Sequence, residues 1–268
     1  MSKLPPFSPI LTRLMGSLSN DDVSFAQLGD LIEKDTVLAG NVLRLVNSAA
    51  YARRGTISSV RHAVSILGLG KLRNVTMSMS VARMWNQERW AAGWSPSRFN
   101  LHAVAAAVLA DMIAAELDTP AAEGAFAASL LQNCGMLLIA MGLSEDMPRL
   151  RARYEESSGS LVEAERGMFD TDHAALSAEM CEVWRLPAPV LEAVRGHHQC
   201  GLGGGTLTEV LHSADVAVEQ RGVLAQEWHR ATPGDSIDTL AAAGLGARAE
   251  AVSRAFDAEF DLLREFFA

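Results

Sequence analysis

The sequence has few aromatic residues, only three cysteines and no long apolar stretch free of polar side chains. Aromatic residues make up 6% of the 268 residues, whereas hydrophobic residues reach 49%. A composition rich in alanine and poor in aromatics favours closely packed helices over an aromatic β core. The cysteines show no C-x-x-C spacing, which argues against a thiol-based metal or redox motif. We therefore expect an apolar helical core with reduced structural thiols.

Membrane and secretion signals are also missing. The longest apolar stretches contain His, Asp, Gln or Asn, whereas a membrane-spanning helix needs about 20 predominantly apolar residues. The first residues, Met-Ser-Lys-Leu-Pro-Pro, lack the apolar core of a signal peptide. We expect a cytoplasmic protein that makes no membrane contact.

Charge is distributed unevenly along the chain. The formal net charge is −9, yet residues 1–85 carry ten Lys and Arg against five Asp and Glu. Such asymmetry marks either a surface for nucleic acid or a partner, or attraction between two lobes. Several of the basic residues cluster around one turn and one helix: Arg53, Arg54, Arg61, Lys71 and Arg73. Few aromatic residues lie near them, so the chain offers few side chains on which the bases of a single-stranded nucleic acid could stack.

Hydrophobic periodicity is helical nearly throughout, and strand-like alternation never persists. Helices are predicted near residues 25–34, from 36, from 58 or 59 to 68, and near 72–85, 98–117, 120–141, 145–156, 160–168, 173–185, 188–198, 205–220 and 246–267. We expect an all-α chain with an N-terminal helical lobe (1–90), a second helical lobe (97–220) and a C-terminal helical extension (221–268).

Three motifs in the first lobe resemble a known family. They are Leu31-Ile-Glu-Lys-Asp35, Leu43-Arg-Leu-Val-Asn-Ser-Ala-Ala-Tyr51 and Ile57-Ser-Ser-Val-Arg-His-Ala-Val-Ser-Ile-Leu-Gly68. Their order and spacing resemble the N-terminal half of the HDOD domain, the HD-related output domain of bacteria. The resemblance covers about residues 4–220. It implies a two-lobed, all-helical fold and a role in signalling and regulation, usually without known catalysis.

Residues 126–139 resemble the helix of an HD-type metal phosphohydrolase, in which a His-Asp pair is followed by a small residue, Gly and Lys. Here Gln132 and Asn133 stand at the His-Asp pair, and Met136 stands at the Lys. A metal-dependent hydrolase needs a carboxylate and a neutral imidazole to hold its ion and acidify a water. Two amides supply neither, so we expect no bound metal, no cofactor and no catalytic residue.

The same resemblance implies where the other ligands of such a centre would stand. His102 is similar to the first metal ligand and Asp215 to the last. His173, His197 and His198 are similar to the additional imidazoles of HD-GYP cyclic-dinucleotide phosphodiesterases, although the Gly-Tyr-Pro signature is missing. Three interpretations stay open: an inert hydrogen-bonded remnant, an adapted pocket for a ligand or partner, and an active metal site.

The expected function is a non-catalytic regulatory module of bacterial signal transduction that contacts unidentified signalling proteins, with no oligomeric state predicted. Tyr51, Arg53 and Arg54 are candidate partner contacts, because loops on rigid scaffolds gather binding residues and Tyr and Arg act as anchors. A structural role is the alternative for Tyr51, as for Asn47 and Ser48 near a helix end. Two other functions stay open: a residual metal-dependent phosphohydrolase or phosphodiesterase, and nucleotide or nucleic-acid binding through the basic lobe.

Overall fold

The protein is all-α, as predicted. The computed structural model describes residues 7–16, 25–48, 57–85, 90–118 and 124–267, and every regular element within these ranges is a helix. The described residues form two compact units, one between residues 5 and 86 and the other between residues 87 and 268.

The first unit contains α1 (Pro9–Gly16), α2 (Phe25–Glu33), α3 (Thr36–Val46), α4 (Val60–Leu67) and α5 (Leu69–Met84). Apolar side chains three and four residues apart on α3 are buried, among them Leu38, Val42 and Leu45. Asp35 caps α3 by accepting a hydrogen bond from the Leu38 N–H at 3.1 Å. The predicted end of α4 at Gly68 is confirmed, because its φ of 77° suits glycine alone.

Asn47 joins the end of α3 to the residues that precede α4. Its Nδ2 donates to the carbonyl oxygens of Leu43 and Ile57, both at 2.8 Å, and its Oδ1 accepts from the Ile57 N–H at 2.8 Å. This agrees with the structural role considered for Asn47. The segment that it brackets contains Tyr51, Arg53 and Arg54, and these three candidate partner contacts lie outside the described residues.

The second unit contains α6 (Pro96–Leu117), α7 (Ala125–Leu131), α8 (Gly135–Gly142), α9 (Met147–Glu156), α10 (Leu161–Phe169), α11 (His173–Val183), α12 (Ala188–Gly196), α13 (Leu207–Gln220), α14 (Ser236–Leu240) and α15 (Ala249–Phe267). A π-helical turn (Ala241–Leu245) and a 3₁₀ turn (Gly246–Arg248) lead from α14 to α15. Helices α7, α13 and α15 all pack on α6, so the C-terminal segment belongs to the second unit.

Helix α6 is central because its side chains are small. Six of its alanines are each at most 3% exposed: Ala103, Ala105, Ala106, Ala107, Ala110 and Ala114. Small side chains let neighbouring helices approach closely, and a helix covered on all sides is apolar on all sides. One polar residue within this alanine-rich stretch, His102, is also buried.

Two stretches are long and apolar enough to cross a bilayer by length and composition, which differs from the sequence-based expectation. They are Pro96–Leu117 and Ala125–Gly142. In their most apolar windows, 61% and 83% of the residues respectively are buried inside the fold. Core helices of soluble proteins share this composition, so the two stretches are weak evidence for a membrane span.

The largest difference from the predicted helices is a break. The helix expected over residues 120–141 is divided, since α7 ends at Leu131 and α8 begins at Gly135. Two short helices were not predicted: α1 has eight residues and α14 has five, which is too few for a clear 3.6-residue period.

Candidate functional site

The break between α7 and α8 places Gln132 and Asn133 on a turn. It accompanies a close approach of Gly135 to the start of α11, where an added Cβ would overlap the carbonyl oxygen of His173 and lie 2.8 Å from its carbonyl carbon. The Gly135 N–H donates to Ser177 Oγ at 2.7 Å, and that hydroxyl donates to the His173 carbonyl at 2.7 Å. The amide pair and His173 are thereby brought to one region.

Three N–H donors, one from α6 and two from the turn between α7 and α8, converge on one carboxylate oxygen, Asp215 Oδ1 of α13. His102 Nε2 lies 3.0 Å from this oxygen, Gln132 Nε2 lies 2.9 Å away, and Asn133 Nδ2 lies 3.3 Å away. None of these four residues is more than 4% exposed. On its other side the His102 ring places Nδ1 at 2.8 Å from the carbonyl oxygen of Val223. The four residues that the sequence analysis placed at this centre are therefore in contact with one another.

The His102 ring carries a proton on both nitrogens. A carbonyl oxygen and a carboxylate oxygen can only accept, so both facing ring nitrogens must donate. Burial opposes the charged ring, but the hydrogen bond and negative charge of Asp215 outweigh it and raise the pKa of His102 to about 9. Burial also opposes the charge of Asp215, yet His102 holds the pKa of this carboxyl well below its usual range. The centre is a buried imidazolium–carboxylate pair.

A divalent ion of the HD type does not fit this pair. Both His102 nitrogens donate hydrogens, so the ring offers no lone pair, and Asp215 Oδ1 already accepts from three donors. The Asn133 and Gln132 amides contribute no negative charge. Gln132 Oε1 is buried without a hydrogen-bond partner among the described residues. An unsatisfied buried group of this kind lowers the free energy of unfolding by about 1–3 kcal/mol. N–H groups therefore surround the Asp215 oxygen that would otherwise bind a cation.

Beside the pair lies a second group, which we call the histidine triad: His173, His197 and His198. Each offers one ring nitrogen, and these three atoms lie within 4.8 Å of one another. His173 Nδ1 lies 2.7 Å from Glu165 Oε2, which also accepts the His173 backbone N–H at 2.9 Å. His197 Nδ1 lies 2.6 Å from the Val194 carbonyl oxygen. Both rings are thus held by Nδ1, which leaves Nε2 facing inward.

The three histidines of the triad differ in their protonation. Burial disfavours a charged His173, but Glu165 overcomes this effect and raises the pKa of His173. Burial lowers the pKa of His197 to about 4, and burial together with the neighbouring histidines holds the pKa of His198 well below its ordinary value. His173 Nε2 and His198 Nε2 lie 2.8 Å apart. His173 is therefore the donor in this contact and His198 the neutral acceptor.

A cavity of about 630 Å³ opens over both groups and is lined by His102, Asp215, His173 and His198. Residues 229–233 form part of its wall. Arg230 holds this wall in place by donating to the carbonyl oxygens of Ser157 at 2.7 Å, Tyr154 at 3.0 Å and Gly159 at 2.8 Å. Its guanidinium carbon lies 4.2 Å from the centre of the Tyr154 ring, a cation–π contact.

Three titratable residues near the site escape the sequence analysis: Glu165, Glu219 and His229. Burial, aided by Asp215, raises the pKa of Glu219 to about 7. Burial, aided by the charge of His102, lowers the pKa of His229 to about 3. Glu219 follows Asp215 by four residues on α13, so helical spacing could have indicated it. Glu165 and His229 come from other elements and leave no comparable signal.

We expect stability to fall above neutral pH as His102 loses its proton. Its folded pKa of about 9 exceeds the ordinary 6.5, so its stabilisation is complete below the unfolded pKa and is lost as pH rises through the folded one. The loss amounts to at most about 3 kcal/mol. Denaturant unfolding between about pH 7 and pH 10 measures it, and Glu219, whose pKa is about 7, titrates at the lower end of this range.

His102→Gln should be less stable than the parent at pH 7 and should show a flatter profile in this range. His62→Gln is the matched control, because His62 is exposed. A parent profile as flat as that of His102→Gln would contradict the imidazolium assignment.

The family model of the HDOD domain matches residues 4–200 of this chain. The match includes both the amide pair and the triad, whereas Asp215, Glu219 and His229 lie beyond it. An uncharacterized protein of Treponema pallidum (strain Nichols) is 24% identical over 201 residues, which are 73% of this chain. The chain spans 37% of the length of that protein.

Solved structures share the fold. An HDOD domain protein of unknown function from Geobacter sulfurreducens has a TM-score of 0.79 at 22% identity, covering 98% of this chain and 92% of that one. A Marinobacter aquaeolei VT8 protein, provisionally named for signal transduction, has a TM-score of 0.75 at 22% identity, covering 98% and 60%. A Shewanella amazonensis SB2B protein, provisionally named a phosphohydrolase, has a TM-score of 0.75 at 20% identity, covering 99% and 95%. Together with the family match, they confirm the resemblance: the chain belongs to the HDOD domain family, which is related to HD phosphohydrolases and signal transduction proteins.

Proposed function

We propose that this chain is a non-catalytic regulatory module of bacterial signal transduction that acts in the cytoplasm through contacts with other proteins. The observation that carries the proposal is the His102–Asp215 pair. Where an HD hydrolase would need open ligands for a catalytic ion, Asp215 Oδ1 accepts three N–H groups instead.

The chemistry of phosphoester hydrolysis supports the same conclusion. An HD-type centre works through a metal ion that acidifies a water and neutralises phosphate charge. Gln132 and Asn133 are neutral amides, and Asp215 is already neutralised by His102. Met136, which is 7% exposed and lines the cavity, adds an apolar side chain where a phosphate would need a cation.

A residual phosphohydrolase is the second candidate, and the cavity of about 630 Å³ is the observation that favours it. The test is turnover of bis(p-nitrophenyl) phosphate, nucleoside monophosphates and cyclic dinucleotides by the purified chain with Mn²⁺, Fe²⁺ or Mg²⁺. We expect rates equal to the protein-free background. Metal-dependent turnover that disappears in Asp215→Asn would establish the enzyme and reject the non-catalytic proposal.

The partner contact is tested with Arg53→Ala combined with Arg54→Ala. If these arginines anchor a signalling protein, the double variant should recover at least about tenfold less of that protein in affinity capture, as for the loss of a binding hot spot. Quantitative mass spectrometry of the captured proteins measures the difference. Thermal unfolding of the variant is recorded in parallel to show that it folds.

Arg149→Ala with Arg151→Ala is the matched control, because these arginines are exposed and pair locally with Asp146 and Glu155. Nuclease treatment of the lysate separates protein partners from nucleic acid. In the basic set, Arg61 already pairs with Asp30 at 2.9 Å, which reduces the charge available to phosphates. Equal capture by the parent and the Arg53/Arg54 variant would place the contact elsewhere. Capture that nuclease abolishes would favour nucleic-acid binding.

A further inference from the structure

We propose that the cavity binds a small organic acid through its carboxylate group, at the N-terminus of α10. The protein groups involved, which we call the carboxylate site, are the first turn of α10 (160–163), Arg166 and His229. None of these residues stands at a position that the family resemblance assigns to an HD metal centre. The ligand goes beyond the proposed regulatory function and does not depend on it.

His229 carries an observation that points to a ligand. The residue is 9% exposed and lines the cavity, and its Nε2 has no hydrogen-bond partner among the described residues. The ring is held by Trp228 and Tyr154, whose ring centroids lie 4.4 and 6.3 Å away. A proton on Nε2 of the neutral ring makes this atom a donor. Buried polar atoms nearly always have a partner, and a ligand oxygen in the cavity supplies the missing one.

The N-terminus of α10 adds two donors. Ser160 and Glu163 cap the helix reciprocally, since Ser160 Oγ accepts from the Glu163 N–H at 3.2 Å and Glu163 Oε2 accepts from the Ser160 N–H at 2.8 Å. The N–H groups of Leu161 and Val162 have no acceptor within the helix. Both residues line the cavity, and a helix N-terminus favours a negatively charged group.

Arg230 places His229 beside this turn. The Arg230 backbone N–H donates to Tyr154 Oη at 3.1 Å, and its side chain donates to the Gly159 carbonyl oxygen at 2.8 Å, directly before the cap of α10. His229 and the start of α10 are therefore neighbouring parts of one cavity wall, although they are far apart in the sequence. An anion at this place meets donors from both.

Arg166 supplies the positive charge. Its Nε donates to Asp172 Oδ2 at 2.6 Å, whereas the part of the chain that the structure describes gives its two Nη atoms no partner. The side chain is 48% exposed and lines the cavity. The planar fork of a guanidinium matches the two oxygens of a carboxylate.

The charges and the apolar lining define the ligand. Arg230, the other arginine of the lining, already donates to three carbonyl oxygens, and the acids Glu163 and Glu219 line the same cavity. One open guanidinium beside two acids favours a singly charged carboxylate over a doubly charged phosphate. Leu161 and Val162 add apolar side chains to a cavity of about 630 Å³. This volume leaves room for a hydrocarbon or aromatic body behind the carboxylate.

The test titrates the full chain with benzoate, benzyl alcohol and phenyl phosphate by isothermal titration calorimetry. Low ionic strength and about pH 8 are used, where phenyl phosphate is doubly charged. We expect one equivalent of benzoate to bind with a Kd of about 1 mM or lower. Benzyl alcohol lacks the charge and phenyl phosphate carries one too many, so both should bind at least about tenfold more weakly. Absence of saturable benzoate binding would overturn the proposal, as would binding of either other probe within about tenfold of benzoate.

Two variants assign the site. Arg166→Gln removes the charge and should weaken benzoate binding by about tenfold or more. His229→Phe keeps a buried ring but removes Nε2, so it should weaken binding by about threefold to tenfold and leave thermal stability equal or higher. Arg151→Gln is the matched control, because Arg151 is paired with Glu155, has 51% of its side chain exposed and does not line the described cavity. It should keep the parent affinity.

Parent affinity in His229→Phe or in a folded Arg166→Gln, or an equal loss in Arg151→Gln, would overturn the assignment. Absence of benzoate binding would leave the proposed regulatory function standing, because that function is measured by partner capture and phosphoester turnover.

Discussion

Gly135→Ala is expected to lower the free energy of unfolding by about 3 kcal/mol or more. The added Cβ would overlap the His173 carbonyl oxygen and lie 2.8 and 2.9 Å from the carbonyl carbon and Cα of that residue. These are backbone atoms, so no side-chain rotation relieves the overlap. Helix α8 must move away from α11, and the hydrogen bond from Gly135 to Ser177 is lost with it. Denaturant unfolding measures the change.

Gly142→Ala on the same helix is the control. Nothing lies within 4 Å of a Cβ at this position, so the change should be neutral or should stabilise by up to about 1 kcal/mol. Equal stability of the two variants would show that the contact between α8 and α11 is looser than the structure indicates.

Gln132→His combined with Asn133→Asp is expected to make a protein whose stability depends on metal, and not an efficient enzyme. Asn133 Nδ2 lies 3.3 Å from Asp215 Oδ1, so an aspartate there sets two buried carboxylates side by side. Both cannot ionise without a further cation. Without metal, the double variant should lose about 3–5 kcal/mol, as expected for an uncompensated buried charge. Added Mn²⁺ or Fe²⁺ should restore part of this loss in proportion to the logarithm of its concentration.

Turnover by the metal-loaded double variant should stay below about 1 s⁻¹, because Met136 remains an apolar wall of the cavity. Gln132→His alone is the control, since it adds no carboxylate and should need no metal for stability. The parent receives the same metal titration, so that any stabilisation that does not depend on the two substitutions is subtracted. A double variant that is as stable as the parent without metal, or turnover above this rate, would show that the centre is less altered than we infer.

Hydrophobic periodicity located most helices of the second unit. Helices α10 to α13 begin and end within a few residues of the predicted ranges, and α10, α12 and α13 each have one apolar face. Ser160 and Thr206, for example, start α10 and α13 with complete capping boxes. The break at residues 132–134 could not be predicted from periodicity or from helix-end signals. The sequence around it is apolar, and the break accompanies contacts of Gly135 with His173 and Ser177 on a distant helix.

The sequence predicted the four residues that meet at the buried pair, but not their protonation states. A family resemblance pointed to His102, Gln132, Asn133 and Asp215, and the structure brings them together. It did not indicate that His102 would be an imidazolium, because this depends on the Val223 carbonyl that occupies its second nitrogen. The hydrogen bond between His173 and Glu165 was not predicted either, since no repeat or motif links the two residues.

The sequence by itself determined the helical class, the ends of most helices and the absence of a His-Asp pair, because these follow from local composition and spacing. Only the tertiary structure decided which groups carry protons. His102 and Asp215 are 113 residues apart in the chain. Each residue then shifts the pKa of the other against the effect of burial, upward for His102 and downward for Asp215. Such shifts arise from hydrogen bonds and charges nearby, which exist only once α6, α7 and α13 have packed together.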